Sequence, residues 1–203
     1  MNDQRGIWDS LTRGPRSGMV LHAAMARAAR GLTDMVGHTI THDAPQVKNI
    51  PVSEMIVRAS DLATETVGVY LQIEGGLSGQ AMLILPLTFA LNLVDLATNA
   101  PQGTTTALGR IECSALAEVG NLTLAYFLNA VAETTGRPEM LQPSPPTVMV
   151  DMLGDILDLV VRPAAALSES PLIVETIFKD VAKSVQFRFW LLPDLKSNGA
   201  PLK

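Results

Sequence analysis

The sequence predicts an α+β fold in which two long helices pack on one shared β-sheet, and three observations point to it. Two long stretches carry apolar residues at the three- and four-residue spacing of helices. Two pairs of β-rich runs are each separated by a short turn. The two halves of the chain repeat the order of these elements, so helices and hairpins are expected to form a single core with pseudo-twofold symmetry.

Composition limits the kinds of partner. The 203 residues carry a formal charge of -5 and no basic cluster, so neither a nucleic-acid backbone nor an anionic membrane is expected as a partner. The apolar runs at 81–85 and 187–192 are far shorter than the roughly 20 residues that cross a bilayer. With no signal-peptide pattern and a single cysteine, the sequence predicts a cytoplasmic protein whose partners are proteins or small molecules.

The first half begins with an arm and a helix. Residues 1–17 are rich in Gly, Arg, Ser and Asp, and they are predicted to form a flexible arm, with Trp8 as a local docking contact. The stretch 18–36 has apolar residues at helical spacing, and Gly37 suits a left-handed helix end. A strand is then predicted within 47–56, where a proline excludes a central place in a sheet.

A hairpin and a helix complete the first half. The β-rich runs 66–74 and 80–85 predict two paired strands, because the glycines within 75–79 suit a turn with positive φ. A phosphate-binding loop is the alternative for these glycines, but neither a Lys-Ser/Thr pair nor a change from strand to helix follows them, which favours the turn. Helical spacing then returns over 87–99.

The second half repeats this order. A long helix is predicted over 107–135, capped by one of the threonines at 104–106 and ended by Gly136. The prolines within 143–146 predict a rigid link, and a short amphipathic helix is predicted over 151–161. The remaining predicted elements are a hairpin with strands 172–178 and 184–192 and a polar tail, 194–203.

The repeated order indicates a tandem duplication. Aligning Gly37 with Gly136 also brings the Leu-Pro pair at 85–86 onto the Leu-Pro pair at 192–193, once a short insertion is allowed around the 151–161 helix. Either half alone would bury too little apolar surface to be stable. The predicted organisation is one domain over 18–193, with repeat halves of about 18–100 and 104–193.

Three polar residues of the long second helix form the candidate site. Ser114, Glu118 and Asn121 stand at i, i+4 and i+7, which places them within roughly 60° on one helix face. An ordinary solvated helix face has the same composition, so the spacing alone leaves that interpretation open. The opposite side is predicted to meet the sheet through Leu116, Val119, Tyr126, Phe127 and Ala130.

The residues around this face resemble a known family. Ser-Ala-Leu-Ala-Glu-Val-Gly-Asn at 114–121 resembles the signature helix of the CheC/CheX family of chemotaxis phosphatases. The Pro-Ser-Pro-Pro run at 143–146 and Val-Asp-Met-Leu-Gly at 150–154 resemble the segment after that helix in CheC. The resemblance covers roughly 18–193 and is strongest over 107–161.

The resemblance implies an enzyme of two-component signalling, one that hydrolyses the aspartyl-phosphate of a CheY-type response regulator. In the family's mechanism, Asn121 would orient the attacking water and Glu118 would pair with a lysine of the regulator, with Ser114 in support. An acyl phosphate is already reactive, so a positioned water matters more than a strong base. The resemblance implies no cofactor of the chain's own, because Mg²⁺ would belong to the regulator.

The first repeat lacks this motif. In the register set by the two helix-ending glycines, Pro15, Met19 and His22 stand where the second helix has Ser114, Glu118 and Asn121. The sequence therefore predicts a member with a single intact site. A rearranged first site that uses His22 is the alternative, but it has no acidic partner.

Two further partners follow from the resemblance. In CheC relatives the region corresponding to 151–161 is associated with binding the receptor deamidase CheD, so Asp151 and Asp155 are candidate partner contacts, with helix capping as the alternative. Since one site is absent, the rival function is a non-catalytic adaptor that binds a receiver, CheD or a flagellar switch component.

The other reactive side chains have ordinary interpretations. His38 and His42 have metal-ligand spacing, but they follow a glycine in a threonine-rich stretch and lack the glutamate of a zinc protease motif, so a surface loop is predicted. Cys113 has no neighbouring base and is predicted to fill apolar space.

Overall fold

The computed structural model describes residues 3–51, 54, 64–75, 77–136, 141–158 and 171–194. Its helices are α1 (Asp3–Thr12), α2 (Ser17–Val36), α3 (Leu87–Ala97) and α4 (Arg110–Thr135). The strands are β1 (Thr41–His42), β2 (Gln46–Asn49), β3 (Glu65–Glu74), β4 (Gly79–Pro86), β5 (Gln142–Pro143), β6 (Thr147–Met152), β7 (Leu172–Asp180) and β8 (Val185–Pro193). The α+β class is confirmed.

The strands of the described residues form one antiparallel sheet, whose centre joins the two repeats. Its order is β1-β7-β8-β4-β3-β5, with β2 also on β7 and β6 also on β3. Both predicted hairpins, β3–β4 and β7–β8, are present. They meet where β4 pairs with β8, and Gly79 lies opposite Pro193. The pseudo-twofold relation passes through this central pair.

The first strands of the two repeats are exchanged between the halves. β2, which follows α2, pairs with β7 of the second repeat, and β6, which follows α4, pairs with β3 of the first repeat. The short strands β1 and β5 are exchanged in the same way. The equivalent pairings confirm the predicted duplication. The strand predicted within 47–56 is β2, which leaves the sheet before Pro51.

The two long helices end as predicted and cover one face of the sheet. Gly37 ends α2 with φ of 69° and Gly136 ends α4 with φ of 64°, the left-handed conformation that glycine adopts without strain. Both helices bury an apolar stripe in the main core, which also contains the inner faces of the central strands. The largest buried side chains of this core include Trp8, Met25, Phe127, Phe178, Phe187 and Phe189.

The opposite face of the sheet carries a smaller core. Helical residues 153–158 lie there and bury Ile156 and Leu157 against Trp190 of β8. Helix α4 is the helix in the described part of the chain that is long and apolar enough to span a membrane by length and composition. Half of its most apolar window is buried inside the fold, as in the core helices of globular domains.

The prediction of a flexible arm over 1–17 is wrong for 3–12, which form α1. Ile7, Trp8 and Leu11 share one helix face and are buried in the main core. The Trp8 Nε1–H donates to the carbonyl oxygen of Ser78 at 2.9 Å. The apolar spacing therefore outweighs a composition that is typical of a loop.

Two boundaries in the second repeat also differ from the prediction. Pro143, expected to start a rigid link, lies with Gln142 in β5 and pairs with β3. Asp151, expected at the N-terminus of a helix, lies in β6 opposite Thr66, because residues 147–152 pair with β3 and complete the sheet edge there. Helical residues begin at 153, and the rest of the predicted 151–161 helix from 159 onward lies outside the described residues, as does the tail after 194.

Candidate functional site

The exposed face of α4 carries the three polar residues as predicted. Ser114 and Glu118 are exposed and Asn121 is partly exposed. On the opposite side Leu116, Val119, Phe127 and Ala130 are buried, while Tyr126 is partly buried. The sheet below therefore fixes the rotation of the helix, and Glu118 and Asn121 point together to the outside of the fold.

Neither Glu118 nor Asn121 forms a side-chain hydrogen bond or ion pair with another described residue. Near them, the Thr123 hydroxyl donates to the Val119 carbonyl oxygen at 2.6 Å, so this buried hydroxyl is satisfied within the helix. The carboxylate and the amide therefore keep their full hydrogen-bonding capacity for a partner.

Gly120 lets α4 approach the sheet between the two site residues. A Cβ atom at this position would lie 2.6 Å from Val69 Cγ1 and 3.5 Å from Leu71 Cδ1, both buried side chains of β3. A larger residue would force α4 or the Val69 side chain to shift, so Gly120 sets the height at which Glu118 and Asn121 stand above the sheet. The sequence analysis did not single out Gly120, although a glycine inside a strong helical pattern indicates close packing.

The segment that leads into α4 is anchored by a buried carboxylate. Asp95 of α3 accepts backbone hydrogen bonds from Gly103 and Thr104 at Oδ2, at 2.7 and 3.2 Å, and from Thr105 at Oδ1, at 2.8 Å. Burial raises the pKa of Asp95, but the hydrogen bonds from the Thr105 side chain and from the three backbone amides outweigh it, so the pKa is lowered overall.

The predicted threonine cap of α4 is wrong. Gly109 is the N-cap residue, and its backbone N–H donates to Glu112 Oε2 at 2.9 Å. Thr104 and Thr105 instead bind Asp95. The threonines have the chemistry of helix caps, but Thr104 and Thr105 lie in the turn that binds Asp95. The helix therefore begins later, at residue 110.

The first repeat presents a different face. Pro15 lies before α2, Met19 is 66% exposed on α2, and His22 is exposed on the same helix. The His22 ring lies next to the His42 ring, with their centroids 4.9 Å apart. The three positions thus carry neither a carboxylate nor an amide where α4 has Glu118 and Asn121.

The other candidates separate into exposed and packed residues. Asp151 and Asp155 are both exposed, on β6 and on the helical residues after it. Cys113 is partly buried. Gly75, with φ of 100°, begins the turn between β3 and β4 as predicted. The surface-loop prediction is wrong for His42, which lies in β1 and is partly buried beside His22.

Comparison with known proteins agrees with this architecture. No family model matches the chain. The chain is 24% identical to the CheY-P phosphatase CheC of Bacillus subtilis (strain 168) over 174 residues, which are 84% of this chain and 82% of CheC.

Solved structures share the fold. Thermotoga maritima FliY superposes with a TM-score of 0.70 at 20% identity, over 96% of this chain and 93% of FliY. The CheX-CheY-BeF3-Mg2+ complex from Borrelia burgdorferi contains a chain that superposes with a TM-score of 0.57 at 14% identity, over 86% of this chain and 96% of that one.

The duplicated arrangement of two long helices on one antiparallel sheet is a CheC-like fold. The sequence relation to CheC, at 24% identity, and the CheX and CheC-like structural neighbours support the resemblance to the CheC/CheX family.

Proposed function

We propose that this chain docks on a CheY-type receiver through the exposed face of α4 and accelerates hydrolysis of the receiver's aspartyl phosphate. One observation carries the proposal: Glu118 and Asn121 stand together on the outside of a helix whose position on the sheet is fixed by Gly120. The relative named as a CheY-P phosphatase and the CheX chain solved with CheY support a receiver as the partner. A cytoplasmic location is part of this proposal.

The chemistry requires positioning more than strong acid or base catalysis. In the hydrolysis, a water oxygen forms a bond to phosphorus as the bond from phosphorus to the aspartyl oxygen breaks, and the receiver's carboxylate leaves. The water proton ends on the phosphate product or in solvent. The Asn121 carboxamide can accept a hydrogen bond from this water and hold it in line with the breaking bond.

Glu118 and Ser114 would act in docking. The Glu118 carboxylate has no partner among the described residues, so it is suited to pair with a cationic side chain of the receiver. This pairing would exclude water from part of the contact. Ser114 is exposed one helical turn before Glu118 and would extend the contact along the same face. In this scheme, Mg²⁺ is supplied by the receiver and neutralises the phosphoryl oxygens.

The test is the decay rate of a phosphorylated receiver from the same organism, with this protein or with its Asn121→Ala variant. We expect the variant to lose about 10²-fold of the acceleration, as when one positioned group is removed, while receiver binding is retained. Asn129→Ala is the matched control, because Asn129 is exposed two turns further along α4. Equal activity of Asn121→Ala and the wild-type protein would contradict the assigned role.

A non-catalytic adaptor is the second candidate, and the absence of the motif from the first repeat favours it. Such a protein would bind the receiver through the same face and leave the decay rate unchanged. It would also fit a CheD-like partner at Asp151 and Asp155, which are exposed. The decay assay should therefore be repeated with a CheD homologue present. Binding without acceleration in both assays would establish the adaptor and exclude the phosphatase.

A further inference from the structure

Two of the three histidines of the chain lie side by side on the first repeat. His22 comes from α2 and His42 from β1, and their ring centroids are 4.9 Å apart with 52° between the ring planes. His22 is exposed and His42 is partly buried. The pair is therefore open to solvent at His22 and is packed against the fold at His42.

The spacing of the rings suits shared coordination of one metal ion. Imidazole nitrogens bind zinc at about 2.0–2.1 Å, and two ligands of a tetrahedral ion then have ring centroids roughly 5 Å apart. The observed 4.9 Å agrees with this value.

Hydrogen bonding also prepares His42 to act as a ligand. Its Nδ1 lies 2.9 Å from the carbonyl oxygen of Asp43. A carbonyl can only accept, so Nδ1 carries the proton and Nε2 keeps its lone pair. Donation of one ring N–H to a backbone carbonyl is the usual support of a metal-binding histidine, because it fixes both the tautomer and the ring orientation.

The surroundings are compatible with a bound cation. Lys179 of β7, the strand paired with β1, forms an ion pair with the Asp43 carboxylate, which offsets its charge. The Phe178 ring lies 6.2 Å from the His42 ring and supports it from the core side. The whole chain has a formal charge of -5, which favours cations over anions.

We propose that His22 and His42 bind one divalent transition-metal ion of the zinc, nickel and copper group on the exposed face of α2. These ions prefer imidazole, whereas Mg²⁺ prefers oxygen ligands. The described residues contain no group of three or more His, Cys, Asp and Glu side chains arranged for a metal, so water completes the coordination. The site occupies the face that corresponds to the Glu118 and Asn121 face of α4, and it does not depend on the proposed phosphatase activity.

The test is calorimetric titration of the full chain with ZnCl2 and NiCl2, after removal of any histidine tag and in a buffer that does not chelate metals. We expect one ion bound per chain and no binding of MgCl2. Loss of a group that only supports a ligand costs about 10–100-fold in affinity, so His22→Gln and His42→Gln should each weaken binding by at least about tenfold. His38→Gln is the matched control and should bind like the wild-type protein.

The outcomes separate the alternatives. Absence of Zn²⁺ and Ni²⁺ binding by the wild-type chain would overturn the proposal, and so would unchanged binding by the His22→Gln variant. Equal weakening by His38→Gln would show non-specific histidine binding and would also overturn it. His22 is exposed, so its variant is expected to stay folded, which circular dichroism checks. That variant alone decides the question if His42→Gln fails to fold.

Discussion

The two long helices, α2 and α4, hold equivalent places in the duplicated fold but present different outer faces. Both end at a left-handed glycine, and both bury an apolar stripe in the main core. Outside, α2 carries Met19 and His22 where α4 carries Glu118 and Asn121. The comparison teaches that packing on the sheet constrains the inner faces, whereas the outer faces can diverge without loss of the fold.

The largest expected effect comes from giving α4 the outer face of α2. The double variant Glu118→Met, Asn121→His should lose at least about 10²-fold of the receiver dephosphorylation rate, because both positioned groups are removed. Its free energy of unfolding should change by no more than about 0.5 kcal/mol, since these positions are surface ones.

The measurements are the decay rate of phosphorylated receiver and urea unfolding. If the double variant still accelerated receiver dephosphorylation, the outer face of α4 would have no special role in the reaction. A large loss of stability would instead show that the α4 face is needed for packing.

The N-terminal ends of the two helices are also held differently, and a substitution at Asp95 tests this difference. Helix α2 begins after Arg16 without a side-chain capping bond, whereas the segment before α4 is anchored on the buried Asp95 carboxylate. Asp95→Asn should lower the free energy of unfolding by about 1–3 kcal/mol, because an amide nitrogen would face backbone donors.

This contribution should depend on pH. The pKa of Asp95 is lowered in the folded state, so its stabilising effect is fully present above the unfolded-state value near 4 and is lost as the pH falls through the folded-state value. Urea unfolding at pH 7 and at pH 3 should therefore show a smaller difference between wild type and Asp95→Asn at pH 3. A difference that grows at low pH would contradict the assigned charge state.

Glycine to alanine substitutions should have opposite signs in the two helices. At Gly120 of α4 the added Cβ would lie 2.6 Å from Val69 Cγ1, whereas at Gly18 of α2 it would meet nothing within 4 Å. Overpacking costs about 1–3 kcal/mol and alanine gains about 1 kcal/mol in helix propensity. We therefore expect net destabilisation by Gly120→Ala and stabilisation of up to about 1 kcal/mol by Gly18→Ala.

Thermal unfolding of both glycine variants measures the two signs. A fall in the dephosphorylation rate of Gly120→Ala, with receiver binding retained, would indicate that the height of α4 matters for the reaction. Stabilisation by both substitutions would show that the helix can move away from β3 without cost.

The smallest effect is expected at the helix cap. Glu112→Ala removes the acceptor of the Gly109 N–H and should cost about 0.5 kcal/mol. Glu118→Ala is the control, because it removes from the same helix an exposed carboxylate that has no hydrogen bond to another described residue. Equal unfolding free energies for the two variants would show that Glu112 adds nothing as a cap.

Much of this fold could be predicted because its signals are local. The helix over 18–36, the glycines that end the long helices, and both hairpins follow from periodicity and turn chemistry over short windows. Helix α1 was missed because glycine and charged residues obscured the apolar spacing of Ile7, Trp8 and Leu11. β6 was missed because nearby prolines and a helix-like pattern concealed an edge strand whose partner, β3, is distant in sequence.

The candidate site likewise combines features that are local in sequence with features that are not. The common face of Ser114, Glu118 and Asn121 follows from helix geometry, and its catalytic role stays a prediction. The contacts around it depend on residues distant in sequence. The packing role of Gly120 becomes visible only when Val69 of β3 is known to lie beneath it. Likewise, His22 contacts His42 only because β1 lies beside α2 in the fold. No window of the sequence contains these relations.

The exchange of first strands between the halves also constrains how the chain is expected to fold. β2 is synthesised early, but its partner β7 begins at Leu172, more than a hundred residues later. Until then the backbone groups of β2 lack their sheet partners, and the ordering of this edge requires closure of a very long loop. During synthesis on the ribosome, the edge formed by β2 should therefore remain incomplete until the last hairpin emerges, whereas β6 can pair with β3 before that point.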